Sequence, residues 1–456
     1  MCHRPDPQCA GGFSLLRARA LESCGPEGGG RREPGRPGFA APGAAAKPVN
    51  PFRTFVLARA ICWAGNAVTV VALPLLVYQR SGSALLSGVT FAVESLPYLL
   101  FGLFAGAAAD RVDRKAILLA AQTLSAAALA SIPIAGAIGT VTIPHAIAVA
   151  FVVSTLFVFY DAASFGVIPA LVGRDKIADA TGTLVSVGTV IGIAGPLLGG
   201  VAATALTPAG AIAIDAACYL TAAAVTATIA IPANAETVIT RPGLIRQINE
   251  GLQYIWTTPA VRALTLVGIG VSLANGVVVG LMVVVGVERL GLDDGDARLG
   301  ALYAATALGA FLISLVSARI QRTVVTGKIT LGGIAVSAGA MIVWAQTTSL
   351  VISLLVVVVY QAANTMVIIN GIVVRQSITP DELQSRVNTT ARMIAMGGTP
   401  FGAGLGGALA QVAGVGMAVS AGALALVVAA GTGWYLGVGR LPLLADLTAS
   451  AHGNGD

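Results

Sequence analysis

Apolar runs of about twenty residues, parted by short clusters of charge, fill this chain from residue 53 to residue 437. Roughly 20 residues are what a helix needs to cross a hydrocarbon layer of about 30 Å. Membrane strands need only about ten and alternate polar with apolar, and these runs do not alternate. Only 11% of the 456 residues are charged, against roughly a quarter in soluble proteins. The sequence therefore predicts an all-α polytopic membrane protein.

Twelve runs can be counted, at 53–79, 83–109, 114–137, 142–165, 178–203, 208–231, 261–287, 296–318, 326–346, 349–372, 384–411 and 415–437. The long polar interval 232–260 separates six from six. The expected domains are a tail at 1–52, a six-helix bundle at 53–231, a linker at 232–260, a second bundle at 261–437 and a tail at 438–456.

Basic residues stay cytoplasmic during insertion. With a cytoplasmic N-terminus, the outer loops hold only Arg80, Arg289 and Arg298 of 27 Lys and Arg. Arg59 and Arg392 fall within helices, which leaves 22 on the cytoplasmic side. Both termini are thus expected in the cytoplasm, with the chain in the plasma (inner) membrane. The net charge of +6 is a topology signal and gives no reason to invoke nucleic acid.

Residues 1–52 are rich in Gly, Pro, Ala and Arg, without apolar periodicity. Such a stretch cannot bury enough surface to offset its ordering entropy. It reads either as a disordered cytoplasmic tail or as sequence ahead of a true start near Val49. Cys2, Cys9 and Cys24 lie there, and Cys62 and Cys218 in apolar runs. None has metal-ligand spacing, so neither a metal nor cysteine chemistry is expected.

Between the second and third runs stands "GAAADRVDRK", Gly106 to Lys115. Gly102, Gly106 and Asp110 are four apart and share one helix face. Glycines at that spacing admit a close helix neighbour in lipid. The face ends in a carboxylate, suited to capping a helix N-terminus or pairing with an arginine.

The pattern Gly-x-x-x-Asp-Arg-x-x-Arg-Lys, met here by Gly106, Asp110, Arg111, Arg114 and Lys115, resembles the loop signature of the major facilitator superfamily. It departs at Asp113, where that pattern usually has glycine; "DRVDRK" is similar to the variant in drug exporters of the macrolide-efflux and enterobactin-exporter type. The resemblance spans about residues 50–440. It implies a fold of two pseudo-symmetric six-helix bundles, and a latch made in one transport state and broken in the other. The eleventh helix is the implied latch partner.

Two internal echoes fit paired bundles. "SLVSARIQRT" sets Ser314, Ala318, Arg319 and Arg322 over Gly106, Asp110, Arg111 and Arg114, and "GPLLGG" (Gly195–Gly200) aligns with "TPFGAG" (Thr399–Gly404). The fifth run also resembles the exporter motif G-x8-G-x3-G-P-x2-G-G, through Gly182, Gly195, Pro196, Gly199 and Gly200, with Ile191 in place of the second glycine. That resemblance implies antiport, while simple small-residue packing stays open. Gly188, Gly192, Gly195 and Gly199 form one stripe, and a proline within it makes a bend plausible.

No Gly-x4-Gly-Lys-Ser/Thr loop is present, and His3, His145 and His452 have no metal or triad partner at motif spacing. The chain reads as neither an enzyme nor an ATP-driven pump, and no cofactor is expected. Energy would come from an ion gradient, which directs attention to intramembrane acids, costly there and functional candidates by default.

Glu94 shares a face with Ser87, Thr90 and Pro97 and is the first candidate proton carrier, with a structural pair to Arg392 as the alternative. Asp215 is the second, or else a structural hydrogen-bonding group. Asp161 reads as a gate charge pairing with Arg111 or Arg174, and Arg392 as its counterpart in the other half. Arg59, Asn66, Asn275 and Asn364 are candidate cavity residues. "LIRQINEGLQYIW" reads as an amphipathic helix on the cytoplasmic leaflet.

The expected function is export of amphipathic, drug-like small molecules by proton antiport with alternating access, by a monomer. The alternatives are a dedicated exporter of a siderophore or other endogenous metabolite, sugar uptake, and a transport-inactive signalling or scaffold protein.

Overall fold

The computed structural model describes residues 50–231, 244–293, 295–444 and 446. The expected tail at 1–49, the first part of the linker and the last residues of the chain lie outside them. In the first half run α1 (Pro51–Ser81), α2 (Ala84–Arg111), α3 (Arg114–Ala137), α4 (Ile143–Val172) and α5 (Ile177–Ala227). Then come α6 (Leu244–Thr257), α7 (Pro259–Gly280), α8 (Met282–Glu288), α9 (Leu299–Thr323), α10 (Thr326–Gln346), α11 (Leu350–Ile378), α12 (Asp381–Met396), α13 (Gly398–Ala413) and α14 (Val415–Tyr435).

Side-chain caps set several of the starts. Asn50 accepts from the Phe52 amide at 3.0 Å, so α1 begins two residues before the expected 53. Ser83 and Thr142 cap α2 and α4 in the same way. Asp113 caps α3, accepting from the Lys115 amide at 3.1 Å. The residue that departs from the family pattern therefore has a local task, satisfying an amide that the first helical turn leaves open.

Ten described helices are each long and apolar enough to cross a membrane. At 1.5 Å per residue α5 is about 75 Å long, far more than one bilayer core of about 30 Å. It is two helices, divided at Thr207, whose φ of 68° precedes Pro208. Polar α12 and apolar α13 form a further rod, interrupted at Gly397. These two corrections to the simple count give the twelve expected crossings.

Helices α1 to α5 pack on one another, as do α7 to α14; the two groups meet mainly where α2 touches α13 and α5 touches α9. Small residues make both contacts. A β-carbon on Gly88 would stand 2.5 Å from the Ala403 carbonyl oxygen and 2.8 Å from Gly407 Cα. Gly200 and Gly300 likewise press on the carbonyls of Ala297 and Pro196. Polar bridges join the same end: Ser83 Oγ donates to Gln411 Oε1 at 2.8 Å, and Tyr78 Oη to Glu288 Oε1 at 3.1 Å.

The opposite end, which carries the 111–114 loop, is open. A β-carbon on Gly102 or Gly106 would meet nothing within 4 Å. The spacing that predicted a close helix neighbour there has none in this structure.

Helix α6 does not lie apart on a leaflet. Ile255 is buried with Val261 of α7 and Val387 and Ala391 of α12. Tyr254 Oη donates to the Ile378 carbonyl at 2.8 Å, and Glu250 pairs with Arg246 at 3.0 Å and with Arg386 of α12. The expected C-terminal tail also starts docked, since the Thr326 amide of α10 donates to the Pro442 carbonyl at 3.2 Å.

Gly402 abuts the Leu273 carbonyl, where α13 lies on α7. Gly402→Ala forces the two apart, an overpacking cost of about 1–3 kcal/mol. Gly102→Ala meets open space and should be neutral or stabilising, because alanine is the better helix former by about 1 kcal/mol. Heating the detergent-solubilised protein and following its monodisperse chromatographic peak should show the first variant lost at lower temperature and the second not.

Candidate transport cavity and buried charges

The glycine stripe of α5 turns toward α1 and α9. Gly195 fits against Ala67, a β-carbon on Gly199 would stand 2.9 Å from Val68 Cα, and one on Gly188 would stand 3.2 Å from the Trp63 ring. Where this packing loosens, a cavity of about 300 Å³ opens. Trp63, Asn66, Ala67 and Val70 of α1 line it, with Gly188, Ile191, Gly192 and Pro196 of α5 and Tyr303 and Thr306 of α9. Both halves of the chain thus contribute to one chamber, and the expected residue Asn66 lies in its wall. Pro196 serves the wall and, through its carbonyl, the Gly300 contact. Gly182 takes part in neither, with open space around it.

Arg59 stands one turn before Trp63, with its guanidinium 4.7 Å from that ring and 5.8 Å from the ring of Tyr160. It is outside the cavity wall, and its Nη2 donates to Asp161 Oδ1 at 2.7 Å. Tyr98 Oη donates to the other carboxylate oxygen at 2.9 Å. Asp161 therefore pairs with Arg59 and not with the expected Arg111, while the Arg174 side chain lies outside the described residues. The reason is reach: Asp161 lies inside α4, about three turns short of its end, against α1. The Arg59 and Asp161 side chains are only 7% and 17% exposed. Arg392 of α12 is exposed and close enough to Tyr98 to act on it electrostatically.

The two candidate proton carriers differ in setting. Glu94 is half-buried on α2, electrostatically coupled to Tyr303 of the cavity wall. Among the described residues it has no hydrogen bond and no ion pair, with Arg392 or otherwise. Asp215 is fully buried in the second part of α5 and accepts from Thr69 Oγ1 of α1 at 2.5 Å. Gly65 makes room for it, since any side chain there would strike Asp215 Oδ1. Asn275 is half-buried on α7 and Asn364 buried on α11, and neither lines the cavity.

The loop motif divides into separate tasks. Arg114 Nη1 donates to the Gly166 carbonyl of α4 at 2.7 Å, and Gly166 has no side chain to obstruct it. Lys115 Nζ donates to the carbonyls of Ala227 and Ile229, each at 2.8 Å, placing a cation on the C-terminus of α5. Arg111 is exposed, and the Asp110 side chain lies outside the described residues. At the closed end, the Arg298 guanidinium, 2.8 Å from Asp296, holds that carboxyl below its usual range and fixes the turn ahead of α9.

Sequence reasoning missed Tyr98, Tyr160, Thr69 and Tyr303. Each is an ordinary residue in an apolar run, and only the partner that another helix brings gives it meaning.

The family model described as "Transmembrane secretion effector" (MFS_3) matches residues 44–453, and the chain belongs to that family. It is 28% identical over 380 residues to the multidrug efflux pump Tap of Mycolicibacterium fortuitum, covering 80% of this chain and 90% of that protein. It is 27% identical over 214 residues to macrolide efflux protein A of Streptococcus pyogenes, covering 45% of this chain and 53% of that protein. A bacterial homolog of the human lysosomal transporter Spinster, in an inward-facing and occupied conformation, superposes with a TM-score of 0.71 at 14% identity, over 86% of this chain and 96% of that one. The nucleoside transporter NupG gives 0.72 at 11% identity, over 85% and 99%. The fold is the major facilitator fold that the loop motif implied.

Removing Asp161 strands a buried guanidinium, a loss of about 3–5 kcal/mol, whereas replacing both partners with apolar residues is much milder. Asp161→Leu should therefore give little folded protein, and Arg59→Met in the same chain should restore part of it. Membrane-fraction yield and thermal stability of the single and double variants check this.

Proposed function

We propose that this protein is a secondary transporter that exports amphipathic, drug-like small molecules in exchange for protons. One observation carries the reading: an unpaired intramembrane acid, Glu94, stands beside a cavity whose wall is shared by both halves. The efflux pumps among its relatives favour export as the direction. A cavity wall of one indole, one phenol, one amide and many aliphatic groups suits a flat or bulky apolar body with few polar points.

Transport proceeds by rocking of residues 53–231 against 261–437 about this chamber. In the conformation described, the Gly88–Gly407 and Gly200–Gly300 contacts close one end and the 111–114 end is open. With the basic loops and both termini in the cytoplasm, that is an inward-open monomer in the plasma membrane. The Arg59–Asp161 pair holds α1 to α4, Arg392 belongs to the gate at the open end, and Gly106, Asp110 and Arg111 to the latch that closes with it. Arg114 and Lys115 brace the loop. Protonation of Glu94, with Asp215 as the second acid, couples the exchange.

Cells lacking their own exporters should accumulate less lipophilic fluorescent dye when they make this protein, and collapse of the proton gradient should abolish the difference. Glu94→Gln should insert normally, still bind dye and lose uphill efflux. Full proton-driven efflux by that variant in inverted vesicles removes Glu94 from the mechanism. Asp110→Asn takes a charge from a boundary contact worth on the order of 1 kcal/mol, enough to shift a balanced transporter several-fold toward the open-inward form. Cysteine labelling of positions in the open mouth should rise, with slower transport and unchanged yield.

A further inference from the structure

Inside the first half, α1, α3, α4 and the second part of α5 enclose a seam of polar atoms that the transport cavity does not use. Arg59 Nε and Nη1, Gln122 Oε1, Ser164 Oγ, Asp215 Oδ1 and Tyr219 Oη are buried and have no protein hydrogen-bond partner. None of these five residues is more than 6% exposed. They are also neighbours. Gln122 Nε2 lies 3.4 Å from Cys62 Sγ, and the Tyr160 hydroxyl lies against both Cys62 and Ser164. Asp215, Cys62 and Tyr160 all act on Tyr219, which lies against the cavity residue Asn66 at one extreme. At the other extreme the Tyr160 ring meets Arg59 and so the Asp161–Tyr98 pair.

An unmet buried polar group costs about 1–3 kcal/mol, and a buried water placed among two to four such groups removes that cost. Here donors (Arg59, Ser164, Tyr219) and acceptors (Gln122, Asp215) are both present, as water that bridges them requires. Among the described residues the second half also has unmet atoms, on Arg289, Gln321, Ser337, Tyr360, Asn364, Arg375, Thr379 and Asn388, but no carboxylate is among them. Asp215 faces Cys62, Cys218 and Tyr219. No arginine or lysine bonds to it among the described residues, so Thr69 and water are what remain to stabilise its charge.

We propose that this seam holds a chain of ordered water and is the route by which protons reach and leave Asp215. The proposal rests on the proton-antiport reading. A hydronium in the seam gives its proton to Asp215 Oδ1, leaving the neutral acid and a water; the reverse step returns the proton to seam water, which carries it toward the Arg59–Asp161 end. Nothing is oxidised or reduced.

X-ray radiolytic hydroxyl-radical labelling of the purified full-length protein in nanodiscs tests the water directly, because radicals form from water held beside a side chain. Cys62, Tyr160 and Tyr219 should be oxidised several-fold faster than Met282, which is as deeply buried but in an apolar core. Labelling no faster than at Met282 means a dry seam and overturns the proposal without touching the antiport reading. In proteoliposomes, Gln122→Leu should lower proton-coupled dye efflux several-fold with an unchanged Kd for the dye. Tyr160→Phe, which removes only a hydroxyl, should do the same if the leucine variant folds poorly. Coupled efflux unchanged in both overturns the route. Dye movement by the wild type with no proton counterflow overturns antiport itself, and the labelling still decides whether the seam is wet.

Discussion

Backbone against backbone is the contact on which this structure depends. Lipid gives helices no hydrophobic reason to associate, so association falls to van der Waals packing at small residues. Gly88 with Gly407 and Gly200 with Gly300 bring the two halves within carbonyl distance at one end. The chamber exists because those contacts stop short of Tyr303 and Trp63, where side chains take up the space that glycine gave away. Small-residue seams of this kind hold by close fit alone, which suits surfaces that must part and re-form.

Charge is handled in the opposite way, by burial with a fixed partner. Arg59 and Asp161 are held by each other, by Tyr98 and by the flanking rings of Trp63 and Tyr160. Loss of one member exposes the full desolvation cost of the other, so the pair ties α1 to α4 regardless of what the halves do. Among the described residues Glu94 has no such tie. The contrast separates a charge that maintains a bundle from one that is available to change its state.

Much of the fold was legible because the hydrocarbon layer imposes a length, and ten described helices are long and apolar enough to obey it. The expected breaks shifted where local chemistry intervened, at Thr207 before Pro208 and at Gly397 between a polar and an apolar segment. The site was legible only in part. The α5 glycine stripe could be read from spacing, since a face of one helix is visible in a sequence, and Asn66 from the resemblance to a fold whose first helix lines the cavity. The partner of Asp161 could not, because i to i+4 arithmetic says nothing about which of five other helices stands opposite. The docking of α6 on α12 was not legible for a related reason: an amphipathic pattern states that one face is covered, and lipid and α12 satisfy that pattern equally well.

Were the eleventh crossing to bend at Gly397, where α12 meets α13, it would act as a lever. Its outer part, α13, is clamped by Gly398 and Gly402 on α7 and by Gly407 on α2. Its inner part, α12, is 16 residues long, an arm of about 24 Å at 1.5 Å per residue. A tilt of roughly 10° about the fulcrum carries the far tip about 4 Å, yet moves Arg392, near the pivot, by little more than 1 Å. Helix α6 grips the arm at Arg386, well out along its length, so it rides with the large displacement. The segment that links the two halves is therefore geared to the long end of the arm, where a small angular change is read as a large translation.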